Sequence, residues 1–496
     1  MATSPGRNFH PRSEKGISGT FLASLCAVLI LVVIILQTVS PDNSAISLAI
    51  ATILVSGFTA MWRFRRHGLD PLGLFSLAFC LYDGVLLFRL ATVSDSSALV
   101  YPTTFNHQTY STAGAMCTVA AVSMLVTAFI YESIIKENKS SRLSVVTSTS
   151  SVGWFWSGLV IYLVGLVLYF LQFNQFGGYL ASLAMDRGAR FELAGQAELL
   201  SYPYFAFVVP GIAALCYGAE TGNSRGRRTV CYGSIFLWCV LVLLQGDRRL
   251  SLQALLTGAA VLSIARPTAL RFKLRTWLLI AVAYVVFSLF GATRIFITVV
   301  ASGQSSLSSV ATDITEGIST DSLAPEHSEF AGPYLSLLTA ISEHTQSLYG
   351  SSYYESFLTI LPRFLYPGVK PQVLAETFAA GVHRGSGTTS GWGYNPVAEA
   401  YINFGVFGIA VMFALWTLFF LAVGALRRHG VWGTLVYAVL LSESVNSNRI
   451  DFRNVYWETC YFVIVLFLAG VIASLINRLF KSTAPVTQTG FRFTCA

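Results

Sequence analysis

The sequence predicts an all-α, polytopic integral membrane protein of about twelve transmembrane helices, with one long connection outside the membrane. Three observations carry that expectation. Of the 496 residues, 54% are hydrophobic and only 11% are charged, where a soluble domain carries about 25% charged residues. The apolar residues fall in blocks long enough to cross a bilayer, about 20 residues each. Clusters of Lys and Arg stand at alternate boundaries between those blocks. The chain, 1–496, therefore reads as a single membrane domain.

The apolar blocks are 20–39, 44–62, 71–92, 109–131, 152–174, 199–219, 229–245, 250–266, 276–301, 396–425, 431–448 and 460–477. Helix is the expected state of each, because an open sheet edge cannot satisfy its backbone groups in lipid. The first block follows Arg7, Arg12 and Lys15; it lacks a clear small-residue cleavage site, so it reads as a span and not a signal peptide. Further basic stretches are Arg63–Arg66, Lys136–Arg142, Arg225–Arg228, Arg266–Arg275, Arg427-Arg428 and Arg478–Lys481. In a twelve-helix topology all of these fall on one side. Positive charge accumulates on the cytoplasmic side, so both termini are expected there. The same rule accounts for the net charge of +8. No nucleic-acid motif accompanies that charge, so nucleic acid is not an expected partner. The eight Cys form no C-x-x-C and no pairing pattern in a loop, so neither a disulfide framework nor a zinc site is expected.

Residues 302–395 form the long external connection between the ninth and tenth blocks, far beyond usual loop length. Tyr334, Leu337, Leu338, Ile341 and Leu348 fall near one helical face. Pro362 ends the apolar stretch Phe357 to Leu361. Short interfacial helices lying on the outer surface are expected here. Gly381 to Gly393 is rich in Gly, Ser and Thr and reads as a loop.

The chemistry begins with exclusions. There is no G-x-x-x-x-G-K-[ST], no D-x-D and no H-E-x-x-H, so no P-loop ATPase and no metal or cofactor is expected. What stands out is a set of arginines on the outer side: Arg187, Arg190, Arg248, Arg249, Arg363, Arg384, Arg449 and Arg453, with Lys370, and Arg89 and Arg294 near outer helix ends. A guanidinium stays charged and grips phosphate oxygens through paired donors. Such a set suits a pyrophosphate at headgroup level; snorkelling, or pairing with Asp186, Asp247 or Asp451, is the structural alternative. Acids also fall inside apolar blocks, at Asp83, Glu399 and Glu443. Each costs about 2.5–3.5 kcal/mol at mid-bilayer, so each should face a partner or a wet cavity. Asp83 can pair with Arg89 or Arg294. Glu399 can complement the dipole of a helix starting at Asn395-Pro396. His383, in the Gly-rich loop, is the other proton-transfer candidate.

Three stretches carry a family likeness. Gly246-Asp247-Arg248-Arg249 ends one block and opens the next. Leu361-Pro362-Arg363 stands in the long connection. Gly391-Trp392-Gly393-Tyr394 leads into Glu399-Ala400-Tyr401-Ile402-Asn403-Phe404-Gly405-Val406-Phe407-Gly408. The chain resembles the Wzy-type O-antigen and repeat-unit polymerases, with the motif likeness over 240–410 and the topology over the whole length. The related O-antigen ligases share the layout, and a lipid-linked oligosaccharide flippase is the competing class. The resemblance implies a multi-pass protein of the bacterial inner membrane. It implies glycosyl transfer between undecaprenyl-pyrophosphate-linked glycans, yielding O-antigen, capsule or exopolysaccharide without ATP. It further implies a chain-length regulator and a flippase as partners beside membrane lipid. In that reading Arg248, Arg249, Arg294, Arg363 and Arg384 hold the pyrophosphate. His383 or Glu399 takes the acceptor proton, and Trp392 and Tyr394 stack on sugar.

Overall fold

The computed structural model describes residues 44–92, 105–134, 148–185, 203–222, 224–266, 331–343, 347–358, 374, 377–378 and 393–482. The apolar blocks 20–39 and 276–301 lie outside these residues. Every regular element among the described residues is helical. Among the described residues, eight helices are long and apolar enough to cross a membrane. They are α1 (Ser44–His67), α2 (Pro71–Thr92), α3 (His107–Ile134), α4 (Ser148–Asn174), α6 (Tyr204–Thr221), α7 (Arg225–Leu244), α11 (Pro396–Leu426) and α13 (Phe452–Ser482). Two further helices, α8 (Arg248–Ala265) and α12 (Gly430–Asn446), occupy the expected blocks 250–266 and 431–448. The short helices are α5 (Tyr179–Ala184), α9 (Ala331–Ser342) and α10 (Ser351–Leu358).

Helix starts follow from local chemistry. Asp70 accepts from the N–H of Gly73 and precedes Pro71; Asn395 accepts from Val397 and Ala398 and precedes Pro396. Asp247 accepts from Leu250 at the head of α8. In each case a side-chain oxygen satisfies an orphan donor, and in α2 and α11 proline fills a position that has no hydrogen bond to lose.

Burial is inverted relative to a water-soluble protein. Asp83 and Glu443 are 0% and 1% exposed, while Phe236 and Phe407 are 71% and 79% exposed. Apolar faces turned outward and acids turned inward are what a lipid solvent selects. Two cores result. One gathers α4, α6, α7, α8, α12 and α13 around Tyr162, Tyr169 and Trp238. The other gathers α1, α2, α3, α9 and α11 around Phe75, Phe79 and Phe413.

The tightest packing is between α4 and α6, and glycines make it possible. A Cβ at Gly158 would collide with the backbone of Leu215, and one at Gly218 with the backbone of Phe155. A Cβ at Gly211 would stand 2.7 Å from the Tyr162 nitrogen, and one at Gly165 2.6 Å from a Val208 methyl. Each helix thus presents two glycines seven residues apart to the other, the small-residue contact that lets membrane helices approach.

Among the described residues of the basic stretches, Arg63, Arg66, Arg266 and Arg427 collect at one end of the bundle. Arg63 binds Asp70 through two nitrogens, at 2.9 and 2.8 Å, and also contacts Glu132. Arg66 joins Glu132 at 2.6 Å, and Arg427 donates to the His67 carbonyl at 2.7 Å. At the same end, Arg266 meets Glu220 at 2.8 Å, and Asn477 accepts from Gly153 N–H.

Two expectations need correction. The segment around Tyr334 to Ile341 does not lie on the outer surface. Helix α9 is buried along almost its whole length against α3 and α11, because its apolar residues surround the helix instead of lining one face. Of the described helices in the external connection, α10, with Tyr354 and Phe357 exposed, is the one that resembles a surface helix. The last helix also starts at Phe452, before the apolar block at 460. Arg453, Asn454 and Glu458 interrupt the hydropathy there, yet they belong to the helix.

Candidate functional site

The end opposite the basic stretches carries the candidate chemistry. It is built where α8, α11, the α12–α13 turn and the described part of the external connection meet. Glu399 is 2% exposed. Its Oε2 accepts from the backbone N–H of Phe452 at 2.7 Å, and its Oε1 accepts from Ser352 Oγ at 3.0 Å. Asn403 Nδ2 donates to Ser352 Oγ at 2.8 Å and to the Glu399 carbonyl at 2.7 Å. The acid therefore does more than complement a helix dipole. It ties α11 to α10 and to the head of α13.

The shape of α11 makes this possible. At Gly405 the backbone leaves helical geometry, with φ 68° and ψ −163°, a region that only glycine enters without strain. The break releases carbonyls of the preceding turn, and the Ile402 carbonyl accepts from Leu348 N–H at 2.8 Å. Tyr353 stacks on Phe404 with centroids 5.9 Å apart. Upstream, Gly393 adopts φ 71° where a Cβ would strike the Arg449 carbonyl. That close approach lets Tyr394 N–H donate to Arg449 O at 2.9 Å.

Tyr394 itself is buried, with its ring edge-on to Phe378 at 6.1 Å. Burial and then the Glu399 carboxylate push the Tyr353 and Tyr394 hydroxyls well above their usual range. Both are neutral phenols, and the Tyr394 ring is packed inside instead of offering a sugar platform.

Asp83 lies inside α2 where the helix widens to a π-turn, Cys80–Val85. Such turns often mark functional positions. Its partners are Asn395 Nδ2, at 2.6 Å, and the Cys117 thiol, at 3.8 Å. The partner expected at Arg89 is not what these bonds show; Arg89 lies in the exposed last turn of α2.

Arg248 and Arg249 open α8. Arg248 is half-buried. Arg249 Nη1 binds Glu458 Oε1 at 2.6 Å. Glu458 lies six residues after Phe452 on α13, about 9 Å along the axis and about 240° around it. Glu399 and Arg249 therefore flank the first turns of α13 on different sides. Below Arg249, Gln253 Nε2 reaches Glu443 Oε1 at 2.5 Å and Glu458 Oε2 at 3.2 Å. Asn446 Nδ2 bridges the same two acids at 3.2 and 3.3 Å.

Of the residues expected at the site, Arg248, Arg249, Tyr394 and Glu399 are placed at one end of the bundle. His383, Arg294, Arg363, Arg384 and Trp392 lie outside the described residues. The sequence reading gave no role at the site to Ser352, Gln253, Asn446 and Glu458, nor to Asn395 and Asn403, which it placed only at a helix start and within a motif. Neutral amides and hydroxyls carry no signal in a hydropathy profile, whereas Glu458, an acid in the first turns of an apolar helix, could have been flagged like Glu443. Comparison with known proteins finds no matching family model, curated protein or solved structure.

Proposed function

We propose that the chain is a bacterial inner-membrane glycosyltransferase that polymerises undecaprenyl-pyrophosphate-linked oligosaccharide repeat units at the outer face. One observation carries the reading. A carboxylate, Glu399, is held beneath α10 of the external connection, at the same end of the bundle as the Arg248-Arg249 pair. In the reaction the acceptor hydroxyl oxygen bonds to the anomeric carbon of the growing chain. The bond from that carbon to the pyrophosphate oxygen breaks, and the lipid pyrophosphate leaves with the electron pair. The hydroxyl proton passes to Glu399, or to His383 of the connection, as general base. Arginine at the outer end meets the charge that develops on the leaving group. Because Glu399 is buried, α10 must lift for substrate to enter, which is the work of a lid.

A second reading, movement of a lipid-linked sugar across the membrane, is favoured by the acids Glu443 and Glu458 within the helix bundle. The glycan profile of a deletion strain separates the two. A single repeat unit on the final lipid supports the polymerase. Loss of all glycan from that lipid points to a ligase or flippase instead.

A further inference from the structure

Cys216 on α6 and Cys231 on α7 are free thiols that meet sulphur to sulphur, 2.9 Å apart. Both are buried, at 3% and 0% exposure, and neither belongs to the candidate site. The two helices form a hairpin closed by the short turn between Thr221 and Arg225. Cys216 lies six residues before Gly222, the cap of α6, and Cys231 lies six residues after Arg225, the first residue of α7. At about 1.5 Å per residue, each stands about 9 Å from its own helix end. Positions at equal depth in a helical hairpin can face one another, so the spacing and the contact agree.

The register is pinned independently of the thiols. Tyr232 OH donates to Glu220 Oε1 at 2.6 Å, and Arg228 Nε stands 3.6 Å from Glu220 Oε2. Glu220 and Arg228 lie one turn nearer the closed end of the hairpin than the cysteines, so both contacts hold the two helices in step. A pair placed in this way can bond by rotation of its side chains, without movement of the helices. Other described cysteines turn their thiols to oxygen instead: Cys80 to the Ile53 carbonyl, Cys117 to Asp83 and Cys239 to the Ser251 carbonyl.

We propose that Cys216 and Cys231 are a redox modification site, which a membrane-dissolved quinone oxidises to a disulfide that staples α6 to α7. One S–S bond forms and two S–H bonds break. The two protons and two electrons pass to the quinone, which becomes the quinol. The class of oxidant follows from the surroundings. Val230 and Tyr232, on either side of Cys231, are 43% and 46% exposed on the outward apolar face of α7, so the hairpin borders lipid there. A thiol reductant reverses the step by exchange. Nothing in it depends on glycosyl transfer.

The test uses the full-length chain in lipid vesicles treated with duroquinone, whose fully substituted ring cannot alkylate thiols. The chain is then unfolded, alkylated and mapped by mass spectrometry without reduction. The expected product is a Cys216–Cys231 cross-linked peptide, two hydrogens lighter than its reduced halves, which dithiothreitol separates. The oxidised chain should also melt at a higher temperature than the reduced chain, since the bond constrains the unfolded state. That rise should be lost in Cys231→Ala. Should this variant fail to fold, Cys216→Ala serves, and the mapped cross-link needs no variant. Recovery of both cysteines in alkylated form after oxidation overturns the proposal. So does an equal rise in Tm in the alanine variant, or a cross-linked chain whose Tm matches the reduced one. Glycan length is not read, so a failed polymerase reading leaves this result standing.

Discussion

The backbone N–H of Phe452 donates to Glu399 Oε2 at 2.7 Å, so the first residue of α13 is fastened to an acid in the first turn of α11. Glutamine at position 399 can keep this bond through its oxygen and turn its amide nitrogen to Ser352. Glu399→Gln should therefore fold normally while losing the base, a drop of about 10²–10⁴-fold in polymer formation. Glu399→Ala should lower Tm as well, because both donors lose their acceptor. Glycan length on gels, beside Tm of the purified variants, checks this. Full-length polymer from Glu399→Gln would shift the base assignment to His383.

Arg248 and Arg249 should part company under mutation. Arg249→Ala leaves Glu458 and Glu443 without their cation. Breaking a buried pair costs about 3–5 kcal/mol, less here because the Arg249 side chain is 23% exposed. Arg248→Ala should shorten the glycan, and Arg248→Lys should rescue it poorly for want of a two-pronged donor. Normal glycan from Arg248→Ala removes that residue from the pyrophosphate site.

At the α4–α6 contact, Gly158→Val and Gly218→Leu would push side chains into facing backbone. Overpacking costs about 1–3 kcal/mol even where side chains can yield, and backbone yields less. Both variants should show low yield or a depressed Tm. Gly226→Ala is the control, since a Cβ there meets nothing within 4 Å; a helical Gly→Ala change should be neutral or stabilising. Equal Tm for all three would mean that the close approach is absent.

Asp70, in the turn between α1 and α2, links stability to pH. Burial alone would raise its carboxyl pKa, but the charge of Arg63 and its two hydrogen bonds, then His67 and the Gly73 N–H, hold it below the ordinary 3.8. A carboxyl depressed in the folded state adds stability that is fully present above its unfolded value and lost as pH falls through the folded one. Asp70→Asn keeps the helix cap but not the ion pair. The Tm gap between wild type and Asp70→Asn should be widest at neutral pH and close on acidification. A gap that holds constant into acid would contradict the linkage.

Much of the architecture was legible in hydropathy, and the reasons for success and failure are physical. Helices α1, α2, α3 and α11 match their apolar blocks because lipid rewards long uninterrupted runs. Helix α13 begins eight residues ahead of its block, since Phe452 and Glu458 are held by tertiary bonds to Glu399 and Arg249 that no local pattern reveals. Helix α9 was expected at the surface, yet it is buried, because one-face periodicity describes a half-covered helix and α9 is covered all round. At the site, Glu399, Glu443 and the Arg248-Arg249 pair stood out as charges in apolar surroundings. Their partners Ser352, Asn403, Gln253 and Asn446 did not, being ordinary polar residues until the fold sets them beside a carboxylate.

The break at Gly405 makes α11 two rods joined at a single backbone position. The outer rod, 396–404 with its cap Asn395, is fastened sideways: to α2 through Asn395 and Asp83, to α10 through Ser352 and Tyr353, and to Leu348, three residues before that helix, through the Ile402 carbonyl. The inner rod, 406–426, is wedged by Phe413, Trp416 and Phe420 against Phe75 of α2. In mechanical terms the acid rides on the outer rod, which its bond to Phe452 also hitches to the head of α13. A pull on the outer connection would swing Glu399 as on a bell crank, with its fulcrum at one glycine, while the membrane-embedded lever arm stays seated.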